Sequence, residues 1–187
     1  MTTRAMIATC LLLTCLAFPL WGQKIQQPAM TETVGTEMTR LAKALVGDWD
    51  TVESMERSEE FPNGGGRQGS LHWKLGVGGT ILLGEGHSDG MAGPLDYLIL
   101  LSWNKNAGVF DYFVCFKDTG SSCKMRGTAH WEGNNFVNDY EEIEHGKTTK
   151  WRDSFVQIAP TSYTLIAARD DGGGSMRTLI TTRCKRR

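Results

Sequence analysis

The sequence predicts an all-β domain whose antiparallel strands close into an up-and-down barrel of about ten strands, preceded by one short helix. Two observations predict this fold. Short runs rich in Val, Ile, Thr and aromatic residues follow one another after Gly47, and clusters of turn residues separate them at close intervals. Parallel neighbours need longer crossovers than these turns supply, so we expect antiparallel pairing. Closing the sheet into a barrel would hide its edges.

The chain opens with a pattern typical of a signal peptide. Arg4 supplies a positive charge, a short apolar segment follows, and the small residue Gly22 suits cleavage before Gln23. The segment is shorter than the roughly 20 apolar residues that span a bilayer. We interpret residues 1–22 as a cleaved signal peptide, with an uncleaved anchor as the alternative. The mature domain is then expected to be periplasmic or extracellular, with no stable membrane span.

A polar lead-in and one helix come next. Residues 23–35 show no periodicity, which predicts a flexible segment. Thr36 can cap a helix and Gly47 is placed to end it. The apolar residues of this helix recur at helical spacing, and they are Met38, Leu41, Ala42 and Leu45. We expect the barrel domain to span 36–187.

The remainder of the chain is divided by regular turn signals into about ten strands. The turns are Pro62–Gly66, Gly76–Gly79, Asp89–Pro94, Asn104–Gly108, Asp118–Ser122, Gly133–Asn135, His145–Lys147, Pro160–Thr161 and Asp170–Gly174. At this chain length one domain is the expected organisation.

Charge argues against a nucleic-acid partner. The chain carries 20 Lys plus Arg against 21 Asp plus Glu, a formal net charge of −1, whereas nucleic-acid-binding domains present a basic surface. The basic end, Lys185–Arg187, is interpreted as a solvated terminus.

Cysteine positions allow one disulfide. Cys10 and Cys15 leave with the signal peptide, and three cysteines remain. Cys115 and Cys123 lie on either side of a turn, where antiparallel strands bring side chains close, and an oxidising compartment permits a bridge. Unbridged thiols are the alternative, and Cys184 completes an odd count. No Cys or His spacing matches a metal site, so neither a metal nor another cofactor is predicted.

The first strand carries a recognisable signature. Residues 45–52 read Leu-Val-Gly-Asp-Trp-Asp-Thr-Val, a helix end that runs into a strand beginning Gly-x-Trp. This resembles the lipocalin and calycin signature, in which the tryptophan closes one end of the barrel and an arginine of the last strand packs across it. The resemblance implies these roles for Trp49 and for Arg183, with Arg177 as another candidate. A guanidinium stacks well on an indole.

Three further segments resemble a lipocalin-like domain-of-unknown-function family of exported bacterial proteins. They are Gly84–Ser88, Gly127–Trp131 and Trp151–Phe155. The resemblance covers nearly all of residues 42–183. It implies the lipocalin-like fold and leaves the activity open, because no settled activity comes with this family.

One strand places an acidic and a basic side chain on the same face. Leu83, Glu85 and His87 alternate with Gly84 and Gly86. If the Leu83 face is interior, the Glu and His enter the cavity, where they can share a proton or bind a polar ligand. An outward, solvated pair is the equal alternative, because so short a pattern does not decide the strand face.

Two arginines are candidates for binding an anionic ligand such as a carboxylate. An inward Arg152 or Arg177 would act by charge-assisted hydrogen bonding. A cross-strand ion pair of Arg152 with Asp139 or Glu141 is the favoured alternative. Among the aromatic residues, Tyr112 and Trp151 are candidates for lining a cavity, although a β core needs the same residue types.

These observations lead to three hypotheses of function. The preferred one is an exported binding protein that holds a small hydrophobic or amphipathic molecule in the barrel, a haem-binding barrel being a subordinate form. The second is a cavity enzyme of isomerase or hydrolase type that uses Glu85 and His87. The third is a packed barrel that acts as an envelope interaction module. The sequence favours a non-enzyme and leaves the ligand and the oligomeric state open.

Overall fold

The computed structural model describes most of the predicted domain. The described residues are 35–59, 61–117, 123, 125–144, 147–170, 172 and 174–187. They belong to one unit, Glu32–Arg187. The predicted signal peptide lies outside the described residues, as does the lead-in apart from Gly35. Within the described ranges, no helix has the length and apolar character needed to cross a bilayer.

One α-helix, one 3₁₀ turn and ten strands make up the described part of the chain. The helix α1 spans Thr36–Leu45 and the 3₁₀ turn spans Val77–Gly79. The strands are β1 (Gly47–Met55), β2 (Gly65–Gly76), β3 (Ile81–Gly90), β4 (Leu95–Asn104), β5 (Val109–Phe116), β6 (Met125–Glu132), β7 (Asn135–Glu144), β8 (Lys147–Ala159), β9 (Ser162–Asp170) and β10 (Met176–Arg186).

The ten strands form a closed antiparallel barrel. Each strand pairs with its neighbours in sequence, and β1 pairs with β10 to complete the circle. The predicted fold class, the up-and-down order and the number of strands are therefore confirmed. The pairing of β10 with β9 shifts register between Thr178 and Ile180, and that of β8 with β9 shifts between Val156 and Ala159.

Burial alternates along the strands, which gives the barrel wall an inner and an outer face. In β1 the buried residues are Trp49, Thr51, Glu53 and Met55, and the residues between them are exposed. The inner face of this strand therefore includes a hydroxyl and a carboxyl as well as apolar groups.

The helix begins and ends slightly differently from the prediction. Gly35 occupies the N-cap position without a side-chain cap, so Thr36 is the first helical residue and not the cap. Val46 follows the last turn, and Gly47 already belongs to β1 with a φ of 133°. Glycine adopts that backbone conformation without the steric penalty that a side chain would bring.

The helix covers one end of the barrel with its apolar face. Its buried residues are Met38, Leu41 and Leu45. The indole N–H of Trp49 donates a hydrogen bond of 2.7 Å to the carbonyl oxygen of Leu45, which ties the helix to β1. We call this covered end the closed end.

Trp49 is completely buried at the closed end, and the arginine that packs on it is Arg186. This corrects the assignment to Arg183 or Arg177. Alternation along β10 places Arg186 on the same face as the buried Cys184, whereas Arg183 is exposed on the opposite face. Arg177 is exposed near the other end of the same strand.

Candidate functional site

The interior of the barrel contains a cavity of about 120 Å³. It lies between the closed end and the opposite rim. Residues of all strands except β3 line it: Thr51, Glu53, Arg67, Leu71, Leu95, Tyr97, Ile99, Tyr112, Val114, Phe116, Met125, Tyr140, Asp153, Phe155, Leu165, Ala167, Ile180, Thr182 and Cys184. Most of this surface is apolar, with a few polar groups, which is the composition of ligand pockets.

The central polar group of the cavity is the carboxyl of Asp153 on β8. The hydroxyl of Tyr112 donates a hydrogen bond of 3.1 Å to its Oδ2, and the hydroxyl of Tyr140 donates one of 3.1 Å to its Oδ1. The two tyrosines come from β5 and β7, and their ring centroids are 5.4 Å apart. Both carboxyl oxygens are thus held by phenols inside the barrel.

Burial dominates the protonation of this cluster. It raises the pKa of Asp153 to about 7, against the opposing effect of the two phenol hydrogen bonds. Burial, with the neighbouring Asp153 carboxylate, also raises the pKa of Tyr112 and Tyr140 well above the usual value. Near neutral pH the tyrosines therefore keep their protons, while the carboxyl changes between its neutral and charged forms.

A buried amide lies beside this cluster. Asn138 on β7 pairs with Asp153 on β8 and is completely buried. Among the described residues, no hydrogen bond of good geometry reaches its amide nitrogen or oxygen. The amide is nevertheless close enough to the Tyr112 hydroxyl to oppose the rise in the pKa of that group.

A second polar pair lies on the wall formed by β1 and β2. The guanidinium Nη1 of Arg67 is 3.6 Å from Oε2 of Glu53, and both side chains are buried. Burial raises the pKa of the Glu53 carboxyl, and the Arg67 guanidinium opposes that rise. The arginine also donates to the carbonyl oxygens of Gly93 and Ala92, at 2.9 and 3.1 Å. It thereby fixes the turn between β3 and β4 at the rim of the cavity.

Other buried polar groups lie toward the closed end. The indole N–H of Trp73 donates to the hydroxyl of Tyr163 at 3.2 Å. Cys184 is a buried free thiol, and burial raises its pKa to about 11. At neutral pH this thiol is protonated and unreactive as a nucleophile.

The predicted pair Glu85 and His87 lies outside the barrel, which contradicts the hypothesis that it enters the cavity. Their side chains are 55% and 61% exposed. Lys74 donates to the Glu85 carboxylate at 2.7 Å, and the His87 ring contacts Asp96 at 2.5 Å. Glu85 and His87 therefore contact different surface residues, Lys74 and Asp96.

The inner face of β3 instead carries Gly84 and Gly86. A Cβ added at Gly84 would lie 2.7 Å from the Trp73 ring, and one at Gly86 would lie 2.0 Å from the Tyr97 ring. Aromatic rings from β2 and β4 therefore fill the space over these glycines. At these two inner positions a side chain would collide with the rings, so Glu85, which alternates with the glycines, points outward.

The two predicted anion-binding arginines also lie on the outer surface. Arg152 forms a two-point ion pair with Asp139, with Nε to Oδ1 at 2.7 Å and Nη2 to Oδ2 at 3.0 Å. This is the cross-strand alternative favoured by the sequence. Arg177 donates to the carbonyl oxygen of Arg57 at 2.8 Å. Neither arginine lines the cavity.

The two aromatic candidates differ. Tyr112 lines the cavity and binds Asp153, as described above. Trp151 is buried and lies parallel to the ring of Tyr140, with centroids 6.4 Å apart, but it does not line the cavity. Its indole N–H donates to Glu142 at 3.1 Å. Trp151 therefore packs against Tyr140, which lines the cavity, and does not itself face the cavity.

The two strand-end cysteines, Cys115 and Cys123, are joined by a disulfide in the structure. The bridge connects the end of β5 to the residue two positions before β6.

The described histidines, at positions 72, 87 and 130, make surface contacts with carboxylates. Within the described ranges, no group of three or more His, Cys, Asp or Glu side chains is arranged to hold a metal ion.

Sequence reasoning did not single out Asp153, Tyr140, Glu53 or Arg67 as ligand-binding residues. A signal for Asp153 existed, since it alternates with Trp151 and Phe155 on one face of its strand. A carboxyl between two aromatic residues on the same strand face points to the interior. No comparable pattern indicated that Arg67 faces the interior, because its neighbours in the sequence are polar residues and glycines.

No protein-family model matches this sequence, and no curated protein sequence matches it. Solved structures share the fold. Rv2717c from M. tuberculosis superimposes with a TM-score of 0.57 at 10% identity, over 80% of this chain and 97% of that chain. The S-type phycobiliprotein lyase CPES from Guillardia theta gives 0.56 at 8% identity, over 80% and 92%.

A redesigned beta barrel, mFAP0, bound to DFHBI, superimposes less closely. Its TM-score is 0.44 at 14% identity, over 76% of this chain and 99% of that chain. The similarity to Rv2717c and to the lyase is one of fold. It is consistent with a lipocalin-like barrel and carries no residue assignments at these identities.

Proposed function

We propose that this chain is an exported binding protein that holds a small hydrophobic or amphipathic molecule in its barrel cavity. The observation that carries the proposal is the cavity itself, which combines apolar walls with the Tyr112–Asp153–Tyr140 cluster. Apolar walls supply affinity through the hydrophobic effect, and a few fixed polar groups orient the ligand.

The size of the cavity limits the ligand. An engineered apolar cavity of about 150 Å³ in another protein accepts benzene, and the cavity here measures about 120 Å³. A molecule of about five or six heavy atoms therefore fits this space, and a longer one would have to move Tyr97 or Phe116 near the rim. A haem group does not fit, because the cavity is too small and no described histidine lines it.

The rival hypotheses receive less support. The proposed cavity enzyme depended on an inward Glu85 and His87, and both side chains are exposed. The interaction-module hypothesis required a fully packed interior, whereas the barrel contains a cavity. No feature of the described residues favours a second function over ligand binding.

Binding is tested by filling the cavity. Ala167→Leu adds three carbon atoms to a residue that lines the cavity, whereas Ala107→Leu makes the same change at an exposed turn. Saturation-transfer NMR with 1-butanol and benzene should show binding to the unmodified chain and to Ala107→Leu, and none to Ala167→Leu. If neither probe binds the unmodified chain, or if Ala167→Leu binds equally well, the proposal is wrong.

Native mass spectrometry of protein purified without denaturation extends this test. A bound molecule of defined mass that the unmodified chain and Ala107→Leu retain, and that Ala167→Leu lacks, would identify the natural ligand class.

Export is tested separately by expressing the full chain and measuring the mature mass. Cleavage before Gln23 is expected, and a retained N-terminus in the cytoplasm would overturn the proposed localisation.

A further inference from the structure

Asp153 is a buried carboxyl without a positively charged partner. It is 7% exposed, and its contacts are hydrogen bonds from Tyr112 and Tyr140. No cation of a described side chain forms an ion pair with it. Burying a carboxylate without a counter-charge is costly, and phenol hydrogen bonds offset only part of that cost.

The other charged groups of the cavity compensate one another. Glu53 on β1 faces Arg67 on β2, so that pair brings no net charge. Other titratable groups of the lining are Tyr97 on β4 and the thiol of Cys184 on β10. On β9, Ala167 pairs with Asp153, and the nearest charged residue along that strand is Arg169, two positions beyond it. The charge of Asp153 is therefore the unbalanced one.

The surroundings of Asp153 suit a cation. The phenol oxygens that donate to it keep lone pairs that can accept from a ligand N–H. Tyr112, Tyr140 and Phe155 line the cavity, and aromatic rings attract ammonium groups.

We propose that the ligand of this cavity carries one positive charge, as a small alkylammonium group that binds at Asp153 between Tyr112 and Tyr140. The inference rests on the proposed binding function and names the ligand class for it. The ammonium would supply the counter-charge that the protein lacks, and the apolar walls would hold a short alkyl chain.

Binding of this kind depends on pH in a defined direction. A cation binds the ionised carboxylate, and the pKa of Asp153 in the empty barrel is about 7. Affinity for an ammonium ligand should therefore level off above pH 7 and fall up to tenfold for each pH unit below it. A neutral ligand of the same size should show no such dependence.

The test compares three probes of similar size: butylammonium, 1-butanol and butyrate. Calorimetric titration of the unmodified chain at pH 8 should show butylammonium binding at least tenfold more tightly than the other two. Lowering the pH to 5.5 should weaken butylammonium binding at least tenfold and leave 1-butanol unchanged. This comparison uses the unmodified chain, so it does not depend on a variant that folds.

Asp153→Asn, an uncharged side chain of the same shape, should remove the preference for butylammonium over 1-butanol. Asp50→Asn, an exposed matched control, should keep the preference. If 1-butanol or butyrate binds as tightly as butylammonium, the cation inference is wrong and the proposed binding function stands. If none of the three binds, both are wrong.

Discussion

The guanidinium carbon of Arg186 lies 4.3 Å from the centroid of the Trp49 ring, across the seam where β1 and β10 pair. The two residues are register partners. Arg186 also donates to the carbonyl oxygens of Pro160, at 2.7 Å, and Val46, at 2.5 Å. One side chain therefore links the first strand, the last strand and the segment that follows the helix.

Replacing Arg186 should weaken this closed end. Arg186→Ala removes the cation–π contact and the charged hydrogen bonds to backbone carbonyls, so we expect the free energy of unfolding to fall by about 2–3 kcal/mol. Arg183→Ala, on the exposed face of the same strand, should change it by less than about 0.5 kcal/mol. Urea unfolding measures both. Equal effects of the two substitutions would contradict the assigned role of Arg186.

Asp153 should make the protein less stable as the pH rises. Its pKa is about 7 in the folded chain against 3.8 for the free group, so the folded state holds a proton that the unfolded state has lost between these values. The stability that this proton confers is present at low pH and is lost as the pH rises through 7.

When the pH rises from 4.5 to 8, we expect deprotonation of Asp153 to lower the free energy of unfolding by about 3 kcal/mol. Asp153→Asn should lack this component, so urea unfolding of both proteins at the two pH values isolates it. A pH dependence that is identical in both proteins would mean that Asp153 titrates normally.

The close approach of Tyr97 to Gly86 should couple the two positions. A Cβ at Gly86 would lie 2.0 Å from the ring, so Gly86→Ala should reduce the unfolding free energy by about 1–3 kcal/mol. In the background of Tyr97→Leu, which removes the ring, the same substitution should cost much less. A double-mutant cycle by urea unfolding measures the coupling, and additive effects would rule out this contact.

Loss of the Cys115–Cys123 bridge should destabilise the chain through its unfolded state. The two residues are separated by 8 positions, and the entropy of closing such a loop corresponds to about 2–3 kcal/mol. The variant with both cysteines replaced by Ser should match the unmodified chain measured with a reductant. Addition of reductant should leave the unfolding free energy of the variant unchanged. If the variant and the unmodified chain are equally stable without reductant, no bridge forms.

Substitution of the exposed pair should leave ligand binding intact. Glu85→Gln and His87→Gln alter side chains that are more than half exposed and outside the cavity. We expect their affinities for benzene and 1-butanol to remain within twofold of the unmodified chain in NMR titrations. A tenfold loss in either variant would place the binding site on the outer surface of β3.

Much of the architecture could be predicted because its signals are local. Turn residues at short intervals and β-type runs between them define ten strands without any knowledge of their partners. The buried face of the helix followed from the spacing of Met38, Leu41 and Leu45. The Gly-x-Trp signature identified Trp49 as the residue that closes the barrel end.

The orientation of β3 and the choice of arginine were harder to predict. On β3 two of the inner positions, Gly84 and Gly86, are glycines, which show no preference for burial in a sequence pattern. The rings of Trp73 and Tyr97 that require glycine there come from other strands. On β10, Arg177, Arg183 and Arg186 are equivalent by composition. The pairing register with β1 selects Arg186.

An antiparallel barrel of about ten strands, preceded by one short helix, could be predicted from the sequence alone, because turn chemistry and the alternation of side chains act within a few residues. The position of Asp153 between Tyr112 and Tyr140, at the polar centre of the cavity, follows from the three-dimensional arrangement of the strands. Those three residues come from β8, β5 and β7, and their contact depends on the registers of three strands and on the side chains that leave the space between them open.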